Sequence, residues 1–235
     1  FDEYFGMIEK VLENAKTYMD KTRYLAVNIG KESGPINLMG EYHSIFKKLG
    51  YHFFRNIYWV KPYGTARPTY TFRNPFPRMY APALHTEVIQ IYGVDELPKD
   101  QNLMITYKIG SGDDPRRKEK KKIEQFPHIL LSKFAGNVWE MQPETTLWSE
   151  DGIRHPAPFP TQLPFNCIRF WTYQGERILD PFLGSGTSII AADQLERRGY
   201  GIELDPNYVN VAIERFLMYK PNAKLEIIKN DSGNK

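Results

Sequence analysis

The stretch Ile178–Asp205, ILDPFLGSGTSIIAADQLERRGYGIELD, limits the architecture of this chain more than any other. A short apolar run ends at Asp180, Gly184 and Gly186 make a tight turn, and a helical pattern from Thr187 to Leu195 follows. Glycine lets a backbone approach a ligand closely, and a helix start offers N–H groups with no intrahelical acceptor. A second strand, Gly199–Leu204, contains Glu203, which lies 17 residues after Gly186. A dinucleotide-type fold places there the carboxylate that accepts ribose hydroxyls. A lone Gly-x-Gly is usually only a turn. The strand-terminal acid at this spacing points to a nucleoside ligand. A nicotinamide dinucleotide loop needs a third glycine where pyrophosphate meets the helix, and here Ser188 and Ile189 follow. A nucleoside without pyrophosphate fits better.

The rest of the chain reads as alternating helices and strands. Helices are expected over Phe1–Tyr18, Ile36–Leu49, Pro164 to about Tyr173 and Asn207–Met218. Strands are expected over Arg23–Ile29, Phe53–Val60, Glu87–Tyr92, Arg177–Leu179 and Lys224–Ile228. Tyr63–Pro82 is an ordered loop rich in proline and aromatics, and no internal repeat is visible. The alternation argues for an α/β fold with a mostly parallel sheet covered on both faces. Residues 93 to about 136 break the pattern. They are polar, and they contain Arg116, Arg117, Lys118, Lys120, Lys121 and Lys122, interrupted only by Glu119.

Composition narrows the function classes. No apolar run is long enough to span a membrane, and no basic-then-apolar leader opens the chain. A single cysteine, Cys167, excludes an intrachain disulfide and a cysteine-rich zinc site, so no metal site is expected. Reduced thiol chemistry suits a cytoplasmic protein, and Cys167 reads as a buried helix-face residue. A net charge of +3 does not by itself imply nucleic acid, whereas the clustering of cations does. The chain opens on Phe1, so its natural start is expected upstream.

DPFLGSGTS closely resembles the first motif of the amino-methylating DNA methyltransferases, and GIELDPNYVNVAIERF is similar to the segment that follows it there. Upstream, HPAPFPTQLPFNCIRF (His155–Phe170) resembles the family motif that covers the methionine end of the cofactor. Leu84–Tyr92 resembles, more weakly, a strand near the target-base pocket, and FAGNVWEMQPET resembles the lead-in to the cofactor half. The resemblance implies a Rossmann-like S-adenosylmethionine-dependent methyltransferase sheet, permuted in motif order. Residues 1–92 would be the catalytic half, 93–138 an inserted target-recognition region, and 139–235 the cofactor half.

It also implies roles. Asp180, Pro181, Phe182, Gly184, Ser185, Gly186 and Thr187 would surround S-adenosylmethionine, with Glu203 on the ribose and Leu204 on the adenine. Pro158, Phe159 and Pro160 would pack its other side, with a proline-rich structural loop as the alternative reading of that run. His155 is open between a structural and a functional role. The six clustered cations and Arg73 would contact phosphates of double-stranded DNA holding one flipped base. Phosphate contact positions a protein without reading sequence. The loop TARPTYTFRNPFPRMY, with Arg67 and Arg78, is either a packed aromatic loop or a neighbour of the DNA. A homodimer and a cognate restriction endonuclease are the protein partners that such a system allows.

The HPAPFP form looks more like cytosine-N4 enzymes than adenine-N6 ones, which more often have glutamine-lysine-proline. A subunit that binds cofactor and DNA without catalysis is a second alternative, and a nicotinamide oxidoreductase is the third. The family's catalytic Ser/Asp/Asn-Pro-Pro-aromatic tetrapeptide is absent, and Asn74-Pro75-Phe76-Pro77 lacks the second middle proline. No catalytic residue can therefore be named. The permuted order places the strand bearing that tetrapeptide upstream of Phe1, or on a second polypeptide.

Overall fold

A computed structural model describes residues 2–20, 23–30, 37–62, 85–94, 136–143 and 159–228. The chain separates into two compact units, Phe1–Gln142 and Pro143–Lys235.

In the first unit, α1 (Asp2–Tyr18) and α2 (Leu38–Lys48) accompany strands β1 (Tyr24–Ile29), β2 (His52–Val60), β3 (Thr86–Gly93) and β4 (Val138–Glu140). Asp2 and Glu3 open α1 and Lys16 closes it, which matches the helix dipole. Lys16 Nζ also donates to the carbonyls of Leu49 and Gly50 at 2.6 and 2.9 Å, so α1 caps the end of α2. The start of α2 is capped by Asn37, whose side-chain oxygen accepts from Gly40 N–H at 2.9 Å. Ile8 and Leu12 of α1 meet Ile45 and Phe46 of α2, with Tyr51, Tyr92 and Val94, in one apolar cluster.

The sheet order is β1-β3-β2-β4. The mostly parallel sheet expected from the sequence is not what this unit forms: β3 is antiparallel to both β1 and β2, and only β4 runs parallel to β2. The reason lies in the connections. Periodicity identifies strands but not their direction, and no helix is described between β2 and β3. β4 is a three-residue strand that no sequence period marks. Its three residues are fixed by Trp139, which stands opposite Trp59 in the ladder and is as deeply buried. Both indole N–H groups are satisfied, Trp59 Nε1 by the Met141 carbonyl at 2.9 Å and Trp139 Nε1 by that of Gly136 at 3.1 Å.

In the second unit, α3 (Gln162–Trp171), β5 (Arg177–Asp180), α4 (Thr187–Gln194), β6 (Arg198–Gly201) and α5 (Pro206–Tyr219) follow one another. β5 and β6 pair in parallel, and β5 has its other edge free among the described residues. The helix α3 starts before Pro164, not after it, because proline is tolerated in a first turn. Fully buried Ala191 and Ala192 let α4 approach Ile168 of α3 closely. Asp205 caps α5 by accepting from Asn207 N–H at 2.9 Å, with Pro206 at the first helical position.

Two expectations fail here. β6 ends at Gly201, not Leu204: Ile202 still donates to the Asp180 carbonyl, but the chain then turns. The strand expected at Lys224–Ile228 does not form: the segment has no regular secondary structure and no ladder partner among the described residues. A groove of about 360 Å³, lined by Ile189, Gly199, Phe216 and Leu225 among others, adjoins it, and Ile227 and Ile228 stay exposed. Leu225, Ile227 and Ile228 are apolar, but no strand among the described residues pairs with the segment.

Cys167 is buried on α3, and burial pushes its thiol up to about 12. The neutral thiol is unreactive. An aromatic disulfide reagent at pH 8 is expected to label Cys167 only after denaturant is added. Stoichiometric labelling of the native protein would contradict this placement.

Candidate functional site

Residues Asp180–Gly186 link β5 to α4. The Asp180 carboxylate shapes the turn: Oδ1 accepts from Phe182 N–H at 3.0 Å and Oδ2 from the Ser188 hydroxyl at 2.5 Å. Leu183 N–H donates to the Ile202 carbonyl and Gly186 N–H to that of Leu183, at 2.9 and 3.1 Å. Gly186 caps α4 with φ at +81°. A Cβ there would stand 3.0 Å from the Ala212 Cβ and 3.2 Å from its Cα, so α5 passes directly under the turn.

Glu203 faces the same turn. Its Oε2 accepts from Gly184 N–H at 2.7 Å, while Oε1 accepts from Leu204 and Asp205 N–H, both at 2.9 Å. A carboxylate offers roughly four lone-pair positions. Three are used, and the fourth, on Oε2, is left for one further donor such as a hydroxyl. Phe182 is half exposed and Leu204 is 94% exposed, both at the carboxyl edge of β5 and β6. Open α/β sheets bind ligands at that edge. An acidic acceptor, a turn at a helix start and exposed apolar side chains suit a nucleoside better than a phosphate.

The sequence-derived candidates therefore divide. Asp180, Gly184, Gly186 and Glu203 come together, with Pro181 and Phe182 on the same turn. Ser185 and Thr187 lie in the turn but are buried, with hydroxyls directed at Arg215. Phe159 and Pro160 are half-buried just ahead of α3. Pro158, His155, Arg67, Arg73, Arg78 and the run Arg116–Lys122 lie outside the described residues, as do the 63–82 loop and most of the 93–138 region. Among the described residues, no group of His, Cys, Asp or Glu could hold a metal ion. No helix among them is long and apolar enough to cross a membrane.

Sequence reasoning missed Ser188, which holds Asp180, and Arg215. For Arg215 a signal was available. Val211, Ala212, Arg215 and Phe216 form the buried face of α5, so an arginine occupies a position where helical spacing calls for an apolar residue.

Several known proteins are similar to this chain. The type II methyltransferase M.Cfr9I of Citrobacter freundii is 48% identical over 61 residues, 26% of this chain and 20% of that protein. The orphan methyltransferase M.BamHII of Bacillus amyloliquefaciens is 31% identical over 109 residues, 44% of this chain and 41% of its own. The chain thus spans less than half the length of these curated relatives. Among solved structures, TTHA0409 of Thermus thermophilus, complexed with S-adenosyl-L-methionine, superposes with a TM-score of 0.70. It covers 97% of this chain and 82% of its own at 21% identity. The PvuII DNA methyltransferase, cytosine-N4-specific, gives a TM-score of 0.64 at 17% identity over 94% of this chain and 73% of its own. At these identities the two structures establish a shared α/β fold. A family model, N6_N4 methyltransferase (DNA methylase), matches residues 1–214. This chain belongs to the DNA methylase family of N6/N4 methyltransferases.

Proposed function

We propose that this chain is the cofactor-holding and DNA-contacting body of a site-specific methyltransferase that methylates the N4 amine of cytosine in DNA. The observation that supports it most is Glu203, whose Oε2 takes the Gly184 N–H and keeps one acceptor position, in a chain of the DNA methylase family. That geometry suits a ribose hydroxyl. TTHA0409, of like fold, was solved with S-adenosyl-L-methionine, and the same molecule is proposed as the ligand here. When bound, it would supply an electrophilic sulfonium methyl.

The chain's own part is to bind and orient. Asp180 and Glu203 hold the turn, Phe182 and Leu204 offer apolar surface for the base, and Pro158, Phe159 and Pro160 close the methionine side. An exocyclic amine is a weak nucleophile because its lone pair is conjugated with the ring. Hydrogen-bond acceptors that favour a pyramidal nitrogen are needed. No Pro-Pro pair occurs in the 235 residues, so no catalytic residue is assigned, and those acceptors are proposed to lie outside them. Cytosine is favoured by the HPAPFP form of residues 155–160, and adenine N6 is the alternative. A homodimer and a restriction endonuclease acting on the same site are the proposed protein partners.

Titration of the full-length protein with S-adenosylhomocysteine and NADH tests the ligand: binding of NADH alone overturns the reading. Digestion of DNA methylated by that protein, with the nucleosides weighed, is expected to show N4-methylcytosine. N6-methyladenine would select the alternative, and no methylated nucleoside would sink both. Arg73, Arg116, Arg117, Lys118, Lys120, Lys121 and Lys122 are proposed to contact phosphates. Each one changed to Gln is then expected to flatten the slope of log affinity against log salt by about 0.9. An unchanged slope would move the DNA contact elsewhere.

A further inference from the structure

We propose that Arg215 is a positioning residue for the cofactor turn, acting through Ser185 and Thr187 and not on the ligand itself. The proposal rests on the nucleoside-binding reading of this turn.

Arg215 lies on α5 and is only 6% exposed. Arginine is seldom buried this deeply without a partner. Its Nη1 reaches three oxygens of the turn: the Ser185 carbonyl at 2.5 Å, the Ser185 hydroxyl at 2.7 Å and the Thr187 hydroxyl at 3.0 Å. These contacts flank Gly186 on both sides. Gly186 itself rests on Ala212, which precedes Arg215 by three positions and so shares its helix face. α5 thus meets three consecutive residues of the turn, one by contact and two by hydrogen bonds.

The consequence is directional. A hydroxyl that accepts from a guanidinium can donate only elsewhere, so Arg215 fixes the orientation of both hydroxyls. Holding the Ser185 carbonyl also fixes the peptide plane that presents the Gly186 N–H to Leu183. The turn geometry is then set before any ligand arrives, which removes an ordering cost from binding. Lysine offers a compact charge on a different stem and does not reproduce the planar donor geometry.

The test uses Arg215→Met and Arg215→Lys in the full-length protein. Backbone amides of residues 184–188 are expected to exchange with deuterium about tenfold faster or more in R215M, with exchange in α1 and β3 unchanged. The dissociation constant for S-adenosylhomocysteine is expected to rise by about tenfold or more, at unaltered stoichiometry. The Michaelis constant for the methyl donor should rise with it, while kcat at saturation stays near that of the natural protein. R215K should fall between the two. A merely structural role would lower the binding stoichiometry and leave the dissociation constant alone, and that result overturns the proposal. So does unchanged exchange at 184–188. If the natural protein fails to bind S-adenosylhomocysteine, the cofactor reading falls, and the exchange result then decides the role of Arg215. If R215M does not fold, Ser185→Ala combined with Thr187→Ala is used instead, and an unchanged dissociation constant and exchange rate overturn the proposal.

Discussion

Gly186→Val is expected to abolish measurable S-adenosylhomocysteine binding and to lower the unfolding free energy by about 2–5 kcal/mol. Two costs add. The backbone at residue 186 sits at φ +81°, which a β-branched residue adopts only under strain. The new side chain would also start 3.0 Å from the Ala212 Cβ and 3.2 Å from its Cα, inside ordinary contact distance of a helix backbone that cannot retreat cheaply. Relief requires α5 to move away, which pulls Arg215 off Ser185 and Thr187. A loss of that size is a large share of the stability of an ordinary domain, about 5–15 kcal/mol. Urea unfolding and calorimetric titration of the variant measure both effects. A midpoint and affinity equal to those of the natural protein would mean that the turn is not packed on α5 as described.

Glu203→Gln is expected to weaken S-adenosylhomocysteine binding by about a hundredfold or more, while the protein remains folded. The carboxylate accepts three backbone N–H groups, one on Oε2 and two on Oε1. An amide can accept at one end only. If the glutamine oxygen takes Leu204 and Asp205, its NH₂ faces the Gly184 N–H, two donors with nothing between them. The opposite rotamer leaves the other pair unsatisfied. Either way the acceptor position proposed for a ribose hydroxyl is lost along with the charge that strengthens it. A Kd within about threefold of the natural value, the scatter ordinary for a single interaction, would remove Glu203 from the site.

Much of this arrangement could be read from residue order because it is local. The glycines at 184 and 186, the apolar run before Asp180 and the acid at 203 all act within one strand-turn-helix-strand unit, where spacing nearly dictates geometry. The same holds for Asp205-Pro206 at the start of α5. What escaped reading depends on contacts between distant residues. β4 exists because Trp139 finds Trp59, eighty positions earlier in the chain, and no period marks a three-residue strand. The antiparallel course of β3 is a matter of which neighbours it lies between, and hydropathy is blind to it. Lys224–Ile228 differs in the other direction: its composition favours extension, but pairing needs a partner edge, and none is met among the described residues. Arg215 is marked only by helical spacing, which sets a charge on the buried face of α5, and its partners lie some thirty residues away.

The edge of β5 away from β6 has no strand partner among the described residues, and this bears on how the protein must be handled. Its neighbour on one side is β6, and on the other no described strand satisfies its amides and carbonyls. Leu179 and Phe182 stand partly bare beside them. Such an edge is a template that accepts any extended chain of suitable sequence, another copy included. A strand that pairs there would close that edge.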